Sequence, residues 1–203
     1  MSLALVCAAM LLRPIIFPPP PPGPFAMIGG EFFPRKWLND VPQFFQNDNR
    51  WKNKEMGTSG SFLGPEGCAV TCAAMVLSGN GVVTDPKKLN QFLSINGGYT
   101  PEGWIYWEKA AELADGRLHK SYEDIGSHEL LDQAILNGLT PIIKIQASNS
   151  VSHFVVVVGK SGHHYLIRDP SRRGKGKVVW LDRYYNGDIQ GVRLYEKVPH
   201  KAE

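Results

Sequence analysis

Near Gly138 the hydrophobic pattern of this chain changes period, and that change limits the fold more than any other feature. Before it, apolar residues recur at helical spacing; after it, short apolar and β-branched runs alternate with turns. Residues 68–77 (CAVTCAAMVL) follow the glycine-rich turn Gly64-Pro65-Glu66-Gly67 and read as a buried helix ending near Gly79. Thr84-Asp85-Pro86 opens a second helix that runs to about Ile95 and stops at Gly97-Gly98. Residues 103–114 carry Trp104, Trp107, Ala111 and Ala114 at helical spacing, and Ser127 caps a helix through Leu136, closed by Asn137-Gly138. Beyond that point residues 141–145, 154–158, 165–168, 177–181 and 191–195 read as strands, with 154–158 apolar enough to be buried on both faces. Helices first and an antiparallel sheet afterwards predict an α+β fold.

The chain has 203 residues, enough for one domain with a real core plus an appendage. Its net charge of +3 is too small to argue for nucleic acid, and the run from Arg168 to Lys177, broken by glycines, reads as a solvated loop. Residues 1–36 form an apolar, proline-rich extension. Leu3 to Leu12 is too short to cross a membrane as a helix, so no integral membrane span is expected. It has the length of a secretory core, yet no basic residue precedes it, and the prolines at 18–22 follow. A signal or anchor and a disordered extension both fit, which leaves cytoplasmic and exported locations open. Gly29-Gly30 reads as a flexible linker. The domain is expected at 37–198, starting near Trp37, with a tail at 199–203.

Three cysteines (Cys7, Cys68, Cys72) make no disulfide framework. Cys68 stands in the first turn of its helix, where the helix dipole and unpaired N–H groups favour the thiolate. Cys72, one turn on, reads as a small core residue. A zinc site from these two cysteines and a histidine is disfavoured, because Cys-x-x-x-Cys on a continuous helix lacks the tight-turn knuckle. His153 precedes the buried run 154–158, and Asp169 ends the returning strand. With a turn around Gly159 to Gly162, residues near 153 and 169 face each other at the open end of a hairpin. His163 and His164 fall at its tip and take no catalytic role. Cysteine, histidine and aspartate in this chain order point to a nucleophilic hydrolase.

Four stretches carry a resemblance: Val41 to Gln46 (VPQFFQ) with Asn47, Asp48 and Trp51; residues 67–77; residues 152–159 (SHFVVVVG); and residues 165–170 (YLIRDP). Together they resemble the papain-like bacterial cysteine-peptidase family thirty-nine, in its stand-alone peptidase-like branch. The resemblance implies a papain-like fold, with the nucleophile helix packed on a C-terminal sheet. It also implies Cys68 as nucleophile, His153 as base, Asp169 as the group orienting the imidazole, and a glutamine as oxyanion donor. Gln46 matches the upstream position and Gln43 competes with it. The chain departs from the common Cys-Gly-Pro pattern, carrying Cys68-Ala69-Val70. No transporter or ATPase segment follows, which argues against double-glycine leaders as substrates. The expected partner is a peptide or protein substrate, and no cofactor or metal is expected. Two other readings remain at this point. One is a catalytically idle papain-fold module binding peptide or cell-wall material through Tyr99, Trp104, Tyr106 and Trp107; the other is a cell-wall amidase or acyl transferase.

Overall fold

The computed structural model describes residues 23–38, 41–148, 151–171 and 173–199. The apolar stretch, the proline run and Cys7 of the extension, and the tail from 200, lie outside the described residues. Strands β1 (Phe25–Ala26) and β2 (Ile28–Trp37) come first, then helices α1 (Leu63–Glu66), α2 (Cys68–Gly79), α3 (Pro86–Ile95) and α4 (Trp107–Glu112). β3 (Leu118–Asp124), α5 (His128–Leu136), β4 (Ile142–Ser148) and β5 (Val151–Arg168) follow. β6 (Val179–Trp180), α6 (Leu181–Tyr184) and β7 (Asp188–Lys197) complete the order. All strand pairs are antiparallel, in the order β1-β7-β4-β5-β2, with β3 beside β7 and β6 beside β5. The fold is therefore a mixed one, helices around a large antiparallel sheet. Among the described residues no helix is long and apolar enough to cross a membrane.

The caps read from the sequence hold the helices. The Asp85 carboxylate accepts from Lys88 N–H at 2.8 Å with Pro86 in the first turn, and the Ser127 hydroxyl accepts from Leu130 N–H at 3.1 Å. Both sheet faces are covered. Val70 and Met75 of α2 pack with Val156, Val158 and Ile142, whereas Leu131 and Ile135 of α5 pack with Val155, Val157 and Ile143. Alternate residues of one strand thus enter two different cores, which explains why 154–158 is apolar without a break.

β5 contains the hairpin within itself. Extended, the sixteen residues separating His153 and Asp169 would span about 50 Å. Their side chains meet at 2.8 Å, so the strand folds back through the Gly159–Gly162 region, where it also pairs with β2. His163 is exposed and bonds Gly30 O, and His164 bonds Asp182, both away from that open end.

Several expectations are corrected. Within the segment read as an extension, Phe25–Ala26 and Ile28–Trp37 form β1 and β2 of the sheet, so Gly29-Gly30 is strand, not linker. Pro34 and the glycines argue against a strand in isolation, but β2 is an edge strand with two register shifts, where such residues are tolerated. Consequently the sheet is not wholly C-terminal; β3, too polar to stand out by pattern, also precedes α5. The helix expected from 103 begins only at Trp107, since Ile105 pairs with Tyr99 in an isolated bridge and leaves Trp104 71% exposed. Trp107 itself is core, which removes it from any surface groove.

Candidate active site

Cys68 heads α2 because α1 turns directly into it. Gly67 N–H donates to Leu63 O at 2.9 Å, and a Cβ on Gly67 would sit within 2.7 Å of Leu63 Cα. Only glycine allows that approach. The turn leaves Cys68 half-buried at the first position of α2, while Cys72 is sealed in the core. Burial, then the negative charges of Cys68 and Asp169, push the Cys72 thiol well up.

The open end of the β5 hairpin brings the histidine to this helix start. His153 Nε2 bonds Asp169 Oδ1 at 2.8 Å, and the Cys68 side chain is close enough to the same ring to raise its pKa. With Nε2 occupied by Asp169, Nδ1 is the ring nitrogen left for sulfur. Burial opposes charge on His153, but the hydrogen bonds to Asp169 and Cys68 and their negative charge outweigh it, raising His153 to about 9. Burial likewise works against the Asp169 carboxylate. The His153 bond and charge, the Tyr185 hydroxyl and the Ser171 N–H prevail and hold it below its ordinary value.

Asp169 also keeps the turn-initiating role its Asp-Pro sequence suggests: Ser171 N–H donates to Oδ1 at 2.7 Å. Its other oxygen accepts the Tyr185 hydroxyl at 2.6 Å. Sequence reasoning missed Tyr185. It lies 16 residues beyond Asp169 with no motif around it, and only the Tyr184-Tyr185 pair at the end of the short helix α6 marks the place.

The two glutamines take different places. Gln46 Nε2 donates to Gly64 O at 2.9 Å and Pro65 O at 3.2 Å, carbonyls of the turn leading into Cys68, and Gln46 N–H donates to Pro170 O. Gln43 Nε2 donates to Phe44 O and to Asp169 O at 2.8 Å, so it braces the aspartate end. Among the described residues no group of three His, Cys, Asp or Glu side chains is arranged to hold a metal ion.

The opposing pKa shifts give the pair a pH signature. His153, raised from 6.5 to about 9, contributes stability that is complete below about pH 6.5 and lost as pH rises through about 9. Asp169, lowered, contributes above about pH 4 and loses its contribution as pH falls through its folded value. Urea unfolding should therefore show stability falling between about pH 6.5 and 9 by an amount on the order of 3 kcal/mol, and His153→Gln should flatten that slope. An unchanged slope in the variant contradicts the assignment.

With this geometry in view, the family comparison is decisive: the model of the peptidase C39-like family matches residues 38–189. The chain belongs to the peptidase C39-like family. All of Gln43, Gln46, Cys68, His153, Asp169 and Tyr185 fall inside the matched span, and membership suggests a peptidase. A crystal structure of a candidate C39-like peptidase from Bacillus anthracis aligns with a TM-score of 0.49 at 16% identity, covering 82% of this chain and 100% of that one. No curated protein matches the chain.

Proposed function

We propose that the protein is a cysteine peptidase of papain-like architecture, acting through a thioester acyl-enzyme on Cys68. The observation that carries this reading is the linked series Cys68 thiol, His153 ring and Asp169 carboxylate at the start of a helix. His153 takes the thiol proton, and a protonated imidazole favours the thiolate beside it. Cys68 Sγ attacks the scissile carbonyl carbon; a C–S bond forms as the carbonyl π electrons move onto oxygen. The tetrahedral species collapses with cleavage of the C–N bond, and His153 gives its proton to the departing amine. A water then loses a proton to His153 and attacks the thioester, releasing the carboxylic acid and restoring Cys68. Asp169 holds the imidazole with Nε2 toward itself and Nδ1 toward sulfur.

The Cys68 backbone N–H at the helix start and the Gln46 amide are the oxyanion donors in this reading. Gln46 is favoured over Gln43 by its neighbours: it touches the turn before Cys68, whereas Gln43 touches Asp169. A developing oxyanion would compete with the Gly64 or Pro65 carbonyl for one Gln46 proton.

The test is hydrolysis of a mixed peptide pool followed by mass spectrometry, with Cys68→Ala as control. New termini that appear with the wild type and vanish with Cys68→Ala support the reading. Cleavage that persists in the variant, or none with a correctly folded wild type, counts against it.

A further inference from the structure

We propose that Tyr185 is a positioning residue, acting on His153 through Asp169. This rests on the peptidase reading for its functional meaning but not for its test. Asp169 is 2% exposed, so solvent cannot satisfy its carboxylate, and each oxygen needs a protein donor. Among the described residues, Oδ1 receives His153 and the Ser171 N–H, and Oδ2 receives the Tyr185 hydroxyl. Without that donor the carboxylate keeps its contacts on one oxygen only and is free to turn about its Cβ–Cγ bond. The direction of His153 Nε2, and with it of Nδ1 toward Cys68, would no longer be fixed.

Tyr185 is itself well anchored. It is 4% exposed in the α5-side core, and its N–H donates to Leu181 O at 3.1 Å. Its ring lies tilted against the His153 ring with centroids 6.1 Å apart, and the Arg173 guanidinium lies 5.1 Å from the tyrosine ring centroid. The phenol therefore donates to Asp169 while its ring lies beside the imidazole. The ionisable groups around the pair are Cys68 and Cys72 from α2, Tyr185 after α6, and Arg173 from the loop before β6. Burial, assisted by Asp169, raises the Tyr185 pKa, so it stays a donor across the working range.

The sign of the effect follows. Losing a neutral donor makes the lone Asp169 carboxylate less stable than the carboxylate paired with imidazolium, so His153 holds its proton more tightly. The experiment is an NMR titration of the His153 ring in the full chain, its resonance identified by its loss in His153→Gln. Tyr185→Phe should move the His153 titration upward by about half a unit to one unit. Fluorotyrosine at position 185, a stronger donor of the same shape, should move it downward, and it serves equally if the phenylalanine variant folds poorly. Peptide turnover, where it is measurable, should fall in kcat with little change in KM for Tyr185→Phe. A titration that stays in place in both variants overturns the proposal, whatever happens to stability. If the titration moves as stated while no peptide is cleaved, the positioning role stands and the peptidase reading falls.

Discussion

Asp132→Ala should destabilise the protein by about 3–5 kcal/mol, a large part of the 5–15 kcal/mol typical of a domain. Asp132 of α5 pairs with Lys160 of β5, whose side chain is wholly buried. The ammonium also lies 4.9 Å from the ring centroids of both Phe33 and Tyr165, and Asp132 Oδ2 accepts the Glu31 N–H at 2.6 Å. Removing the carboxylate strands a cation in a low-dielectric interior and leaves a strand N–H without its acceptor. The pair also explains the second glycine of Gly29-Gly30: at φ +72, a Cβ on Gly30 would collide with Asp132 and come within 2.9 Å of Lys160 Nζ. Urea unfolding measures the loss. The double variant Asp132→Leu with Lys160→Met should regain most of it, because the apolar replacement removes both charges together. A single variant within 1 kcal/mol of wild type, on the order of an ordinary surface change, contradicts the account.

His153→Ala should lower kcat/KM for any cleaved peptide by about 100- to 10,000-fold, the range for losing a positioned acid–base group. Cys68→Ala should remove the reaction altogether, because no acyl-enzyme can form. The two losses should not add, since the sulfur and the imidazole act as one unit. Both variants should keep their circular dichroism: Cys68 is only half-buried and His153 sits at the open end of its hairpin. A His153→Ala enzyme within about threefold of wild type would remove the base from the mechanism.

The parts of the molecule legible in the sequence are those with strong local chemistry. Asp85 and Ser127 mark helix starts because their oxygens have a defined partner three residues on. The pairing of residues 153 and 169 follows from a turn midway between them. Edge strands are harder to read: β2 contains proline and two glycines, β3 is mostly polar, and each is held by a neighbour distant in sequence. The same holds at the site. Cys68, His153 and Asp169 stand beside recognisable turns, whereas Tyr185 and the Lys160–Asp132 pair emerge only once α5, α6 and β5 have packed together.

The most direct measurement is the rate of iodoacetamide alkylation at each cysteine, followed by peptide mapping that separates Cys68, Cys72 and Cys7. Cys68 should react at least about 100-fold faster than the sealed Cys72, and its rate should drop sharply in His153→Ala. Equal, slow modification of Cys68 and Cys72, or a Cys68 rate indifferent to loss of the imidazole, would contradict the assignment of Cys68 as the nucleophile.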